Sequence, residues 1–423
     1  MAVTNYNKSI LSNGIRVVTE EIPYVKSVAV GIWVGAGSRF EKEEYSGISH
    51  FLEHLFFKGT EKRTAKDIAE SLDSVGGQLN AFTTKEYTCY YAKVLDEHFP
   101  LALDVLADMF FNSKFLEKDI LKEREVIIEE IKMYQDTPDE LIHDVFSQTI
   151  WAGHPLGRPV LGTEETINKF TRNDFLRFIG THYVPDNIVI AAAGKIEHGS
   201  LVENLEKLFG RAKKGPVEKV PYPPHNHSEI QNVYRDIGQV QICLGSPGLP
   251  QDDPQIYPLY ILNSVLGGGL SSRLVQEVRE ERGLAYSVYS YHSSFSDAGL
   301  FTFYAGTRPD NYEQVIKIIF KEAFKIAKEG ISLGELKKAK EQLKGSLYLG
   351  LESVGSRMTR IGRSELSLDR LVTPEEVVEK IDLVTNEQVK DLAQYLFNPD
   401  KFTITTIGPV KEVKGKDYFL SGV

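Results

Sequence analysis

The sequence predicts an α+β fold of two homologous halves, each a mostly antiparallel sheet with helices packed on it. A proline-rich stretch divides the 423 residues almost equally, a helix–turn–strand unit recurs near the end of each half, and strand-like runs are followed by clustered amphipathic helices.

The divider is Gly210–Ile230 (GRAKKGPVEKVPYPPHNHSEI). It holds four prolines and little apolar periodicity, so it reads as a linker, with domains expected over 1–214 and 230–423 and the linker over 215–229. The recurring unit is TRNDFLRFIGTHYVPDNIVIAAAG at Thr171–Gly194 and TNEQVKDLAQYLFNPDKFTITTIG at Thr385–Gly408, a gapless offset of 214 (385 − 171). Both copies show a Thr-x-x-Asp or Thr-x-x-Gln helix start, a periodic helix, a Pro-Asp pair and an alternating strand ending in glycine. Their placement points to duplication.

In the first half, Val28–Gly35 (VAVGIWVG) and Glu86–Val94 (EYTCYYAKV) are rich in β-branched and aromatic residues and read as strands. Pro100 is expected to separate the second strand from a helix over Ala102–Phe111. Longer helices are expected over Leu116–Tyr134, Asn311–Lys328 and Leu333–Leu349.

The net charge of −10 counts against nucleic acid as a partner, because phosphate binding needs a basic surface, and it leaves room for basic peptides. Cys89 and Cys243 each lie in an apolar run and read as buried free thiols, with no disulfide framework. The opening MAVTNYNKSILSNGIRVVTEE lacks the basic-then-apolar pattern of a secretory signal. No apolar run approaches the ~20 residues needed to span a bilayer. A cytoplasmic protein with no membrane partner is the simplest expectation.

The chemistry concentrates at His50-Phe51-Leu52-Glu53-His54. Ile48, Phe51, Leu52, Leu55 and Phe56 make one apolar stripe at helical spacing, which leaves His50, Glu53 and His54 on the other side. Two histidines four apart project from one helix face, so their rings can converge on one ion. A wet amphipathic face would explain the same residues. Against that, Phe57 shares the histidine face, and no Lys or Arg occurs from Ser46 to Phe57. Imidazole and carboxylate donors suit Zn²⁺, and a catalytic zinc needs a third protein ligand. The helix over Leu116–Tyr134 offers Glu123, Glu129 and Glu130, any of which could instead pair with Lys122, Arg124 or Lys132. Glu123 and Glu130, two turns apart, share a face.

His-x-x-Glu-His resembles the signature of the inverzincins, the pitrilysin-like zinc metallopeptidases. That family places its third ligand, a glutamate, about 75 residues past the second histidine, and Glu130 lies 76 past His54 (130 − 54). EVIIEEIKMYQD at Glu125–Asp136 and HPLGRPVLGT at His154–Thr163 are similar to the processing-peptidase branch, and the resemblance runs from about Leu11 to Gly408. It implies two homologous α+β halves with the metal only in the first. The segment 214 residues past His50–His54, Ser264–Gly268 (SVLGG), indeed offers no ligand.

The resemblance further implies one Zn²⁺ per chain on His50, His54 and Glu130, with Glu123 behind a ligand histidine as its outer partner and Glu53 as the base toward water. Asn80, Ala81 and Phe82, within GGQLNAFTT at Gly76–Thr84, are implied to form an edge strand that pairs with substrate backbone. Arg279 and Tyr286, in REERGLAY, are implied to grip a substrate carbonyl and to steady the oxyanion. Gly267–Ser272 (GGGLSS) lacks the Gly-Lys-Ser/Thr ending of a phosphate loop and reads as a tight turn. Larger relatives join four half-units into a chamber, so two of these two-unit chains are expected to pair as a homodimer around peptides or unfolded polypeptides. The expected activity is a zinc-dependent endopeptidase. The alternative is a non-catalytic scaffold or partner subunit of a processing-peptidase-like assembly, in which ligands would be lost; here all are present.

Overall fold

A computed structural model describes residues 5–215 and 222–421; residues 216–221 of the expected linker lie outside them. The first sheet holds β1 (Asn5–Ile10), β2 (Arg16–Glu21), β3 (Ser27–Val34), β4 (Gln78–Thr83), β5 (Thr88–Leu95) and β6 (Ile188–Gly194), in the order β1-β2-β6-β3-β5-β4. The second holds β7 (Ile230–Tyr234), β8 (Val240–Pro247), β9 (Ala285–Ser294), β10 (Gly299–Thr307) and β11 (Thr403–Gly408), in the order β7-β11-β8-β10-β9.

Without β1 the two sheets have one topology. Among the described residues, the only parallel pair is β2 with β6 in the first sheet and β7 with β11 in the second. The duplication read at Thr171–Gly194 and Thr385–Gly408 is therefore a duplication of the sheet. In both copies the local chemistry is as expected. Thr171 with Asp174 and Thr385 with Gln388 form capping boxes, Pro185-Asp186 and Pro399-Asp400 form short turns, and the strands β6 and β11 follow.

The long helices appear as Glu117–Gln135, Tyr312–Glu329 and Leu333–Gly350. Two details correct the expectation. Pro100 does not separate strand from helix but sits inside the first turn of the helix Phe99–Asn112, where its missing N–H would have had no partner anyway. Glu86 and Tyr87 belong to the β4–β5 turn, closed by the Thr84 N–H donating to the Tyr87 carbonyl, so the strand starts at Thr88.

The compact units are not contiguous in sequence. One comprises Met1–Lys132, Arg158–Pro221 and Leu349–Val372; the other comprises Met133–Gly157, Tyr222–Tyr348 and Thr373–Val423. Each thus includes a helix from the opposite half. In the first unit, Val354–Leu368 lays Val354, Met358 and Ile361 on Trp33, Cys89 and Val189 of the sheet. In the second, Pro138–Ile150 lays Ile142, Phe146 and Ile150 on Cys243, Tyr304 and Ile407. The opposite face of each sheet carries the helices of its own half in a larger core. With both faces covered, central strands are apolar throughout rather than alternating, as in β6 (IVIAAAG, every residue buried). Both cysteines are buried free thiols. No helix among the described residues is long and apolar enough to cross a membrane.

Candidate functional site

The helix Ile48–Phe56 sits as its stripe requires: Ile48, Phe51, Leu52, Leu55 and Phe56 are buried in the first unit's core. Its start is built by residues that sequence reasoning missed. Gly47 has φ 96°, and a Cβ there would stand 2.7 Å from the Leu161 carbonyl oxygen, so glycine is required twice over. No side chain at the N-cap satisfies the first N–H groups. Instead the buried Glu41 carboxylate accepts from the N–H of Gly47 and of Ser49, both at 2.8 Å. Burial nevertheless raises the Glu41 carboxyl above the ordinary carboxylate value. Arg158 donates to the Glu41 carbonyl, which ties the segment Arg158–Gly162 to this helix start.

On the other side of the helix, His50, His54 and Glu130 come together, with one ligand atom of each within 4.8 Å of the others. Glu130 Oε2 lies 3.7 Å from His50 Nε2 and 3.7 Å from His54 Nε2. That is too long for hydrogen bonds. It is close to the spacing of two donors on one ion, since ligand atoms about 2.1 Å from a tetrahedral zinc stand roughly 3.4 Å apart. The donor set therefore fits Zn²⁺. Burial, and then the neighbouring His54, lowers His50 to about 3, so the ring is neutral and able to coordinate at pH 7.

Glu123, 2% exposed, takes up the other nitrogen of His54, with Nδ1 at 3.2 Å from its Oε2, while Lys58 reaches its Oε1 at 2.8 Å. This leaves His54 Nε2 facing Glu130. Burial works to raise the Glu123 carboxyl, but the bonds to His54 and Lys58 outweigh it, and it titrates below the usual carboxylate value. Glu129 pairs with Lys132 at the surface at 2.8 Å, which removes it from the ligand candidates.

Glu53 lies on the same helix, and burial pushes its carboxyl above the usual range. Thr83, which sequence reasoning did not single out, donates to Glu53 Oε2 at 2.5 Å. Thr83 closes β4, and β4 is the edge strand expected to include Asn80, Ala81 and Phe82. The Ala81 N–H is held by Asn80 Oδ1 at 2.8 Å. The half-buried Phe82 ring packs on Trp33 and Tyr87 at the edge of the core.

Arg279 and Tyr286 form a separate group in the second unit. Arg279 sits on a π-helical turn, Val275–Glu280, a rare geometry that is frequent at functional sites. Its guanidinium carbon lies 4.8 Å from the centre of the Tyr286 ring, a cation–π contact. Tyr286, the second residue of the edge strand β9, is 81% exposed and borders a cavity of about 310 Å³ lined also by Asp139, Gln239, Gln241, Ser287 and Tyr304. Gly267–Ser272 is a turn after the helix Ile256–Leu266, as expected.

Residues 16–164 match the family described as insulinase, peptidase family M16, and residues 169–343 match the peptidase M16 inactive domain. The uncharacterized zinc protease YmxG of Bacillus subtilis is 48% identical over 401 residues, covering 94% of this chain and 97% of the relative. An uncharacterized zinc protease of Streptomyces coelicolor is 43% identical over 413 residues, covering 96% and 90%. Among solved structures, a peptidase M16 inactive domain from Pseudomonas fluorescens superposes with a TM-score of 0.91 at 22% identity, covering 97% of this chain and 99% of that one. A protease from Helicobacter pylori gives 0.90 at 24% identity, covering 96% and 100%. These two establish the fold, and the sequence relatives go further: the chain belongs to peptidase family M16, the insulinase family.

Proposed function

We propose that the chain is a zinc-dependent endopeptidase that hydrolyses peptides or unfolded segments. The observation that carries this reading is the convergence of His50, His54 and Glu130, with the half-buried acid Glu53 beside them. The relatives' description as zinc proteases supports it.

His50, His54 and Glu130 would hold one Zn²⁺, with Glu123 fixing the tautomer of His54. A zinc ion there supplies Lewis acidity, polarising a carbonyl and lowering the pKa of a water toward ~7. Glu53 then accepts a proton from the water as its oxygen bonds to the scissile carbonyl carbon. A raised carboxyl suits this step, because a base works best when its pKa nears the working pH. As the C–N bond breaks, Glu53 returns the proton to the leaving nitrogen, giving a carboxylate and an amine. The edge strand β4, through Asn80 and Ala81, pairs with the backbone of an extended substrate, which gives affinity with little demand on its sequence. Arg279 grips a substrate carbonyl, and the Tyr286 hydroxyl donates to the developing oxyanion. Two copies pair to enclose the substrate.

The test is cleavage of a quenched unstructured peptide. Wild type should cleave it, lose activity to a chelator and regain it with Zn²⁺. Glu53→Gln should keep its zinc and lose about 10²–10⁴-fold in kcat. Wild-type turnover in Glu53→Gln would reject Glu53 as the base, and a zinc-loaded wild type without peptidase activity would reject the enzyme. Sedimentation of the active species tests the pairing.

A further inference from the structure

Among the described residues, the one hydrogen bond to the Glu53 carboxylate comes from the Thr83 hydroxyl, at 2.5 Å. Thr83 is placed by a turn with little freedom. It stands opposite Thr88 in the β4–β5 pairing. The turn beyond it closes through the Thr84 N–H and hydroxyl, both donating to the Tyr87 carbonyl. The turn is also clamped from outside. The N–H groups of Ser38 and Arg39 donate to the carbonyls of Thr84 and Lys85, the Arg39 guanidinium holds Glu86 at 2.7 Å, and a Cβ on Gly37 would collide with the Thr84 carbonyl oxygen.

The direction of the Thr83 bond follows from its acceptor: the ionised Glu53 carboxylate, the form that can act as a base, has no proton to give, so the Thr83 hydroxyl donates its one proton to it. The buried Thr88 hydroxyl has one proton, and the Ala36 carbonyl takes it at 2.9 Å, whereas Thr83 Oγ1 lies farther, at 3.4 Å.

We infer that Thr83 is a positioning residue for the base: its hydroxyl anchors one oxygen of Glu53 to the edge strand that receives the substrate, and presents the other oxygen to the attacking water. The inference rests on the endopeptidase reading. What it adds is that strand docking and base placement share a single rigid element. A peptide laid along β4 finds the base at a set distance from its backbone, which is the kind of alignment where an error of about 1 Å can cost on the order of 10²-fold in rate.

The experiment compares Thr83→Val, which keeps the shape and removes the hydroxyl, with Thr83→Ser, which keeps the hydroxyl. Thr83→Val should lower kcat by roughly 10- to 100-fold, with KM within about twofold of wild type and zinc content unchanged. Thr83→Ser should recover most of the loss. Crystal structures of the zinc-loaded proteins give a readout independent of turnover: the Glu53 carboxylate should leave its place in Thr83→Val and keep it in Thr83→Ser. An unmoved Glu53 in Thr83→Val, a defect in KM instead of kcat, or equal losses in both variants would each overturn the inference. A wild type that cleaves no peptide would overturn the endopeptidase reading instead, and the position of Glu53 in the two variants would still decide the role of Thr83.

Discussion

In the first unit the helix after the strand β3, Ile48–Phe56, buries one face and sets His50, Glu53 and His54 near the acids of Glu117–Gln135. In the second unit the helix after β8, Ile256–Leu266 (IYPLYILNSVL), is apolar on most sides and carries no histidine or acid. Its neighbour in the repeat, Leu333–Gly350, carries lysines such as Lys337, Lys338 and Lys344 and no histidine. The strand plan was duplicated and the donor set was not. The polar side chains that Ile256–Leu266 does turn to its neighbours, Asn263 toward Ser290 and Ser264 toward Gln342, are amide and hydroxyl groups spent on hydrogen bonds and not a set of imidazole and carboxylate ligands.

The comparison also shows where a constant offset misleads. The loop from β3 to its helix has 13 residues (35–47), and the loop from β8 has 8 (248–255). The 214-residue offset therefore sets His50–His54 against Ser264–Gly268, which runs past the end of the second helix, although the segment offers no ligand under either alignment.

The sharpest way to break the contrast is to remove a donor. Glu130→Ala should take zinc from about one equivalent per chain toward none, and peptidase activity with it, while Lys338→Ala in the second unit should leave zinc content unchanged; metal analysis of both proteins decides. The exchanged helices come next. Phe146→Ala should cost about 3–5 kcal/mol and Met358→Ala about 2–5 kcal/mol in denaturant unfolding, because both side chains are fully buried on a sheet from the other half. Near-neutral values would mean that these helices do not complete the sheets. Glu123→Gln should then weaken zinc binding by roughly 10- to 100-fold with little loss of stability, read by competition with a chelator.

The smallest effect lies in the second unit. Arg273 holds Glu335 with two parallel bonds, 2.7 Å and 3.0 Å. Burial works to raise the Glu335 carboxyl, yet the bonds from Arg273 and from the Ser332 N–H bring it down to about 2, from 4.5. A carboxyl lowered on folding stabilises fully above its unfolded value and stops doing so as the pH falls through the folded one. Glu335→Gln should thus cost about 1 kcal/mol near neutrality after solvent screening, and the gap from wild type should close between pH 4.5 and 2.

What could be read from the sequence was local or periodic. The capping box, the Pro-Asp turn and the strand of each repeat lie within two dozen residues, and the stripe Ile48–Phe56 declares which helix face is buried. Periodicity reports that a face is buried, though not against what, so Pro138–Ile150 and Val354–Leu368 gave no sign of serving the opposite sheet. The choice among Glu123, Glu129 and Glu130 depended on which of them meets Lys58, Lys132 or the histidines across space. Lys58, four residues past His54, could have been noticed as the partner of Glu123. Glu41 and Thr83 had no such signal: one reaches the helix start from a loop, and the other depends on how β4 lies against the helix.

The exchange of helices makes the first half of the chain an incomplete protein. A cut between Phe209 and Tyr222 would yield two fragments, and each would lack a helix that one of its own sheets needs as a lid on apolar surface. Separated fragments should refold only by meeting each other, at a rate that rises with concentration. A free-standing version of the histidine-bearing half is better sought by grafting Leu349–Val372 onto it than by truncation.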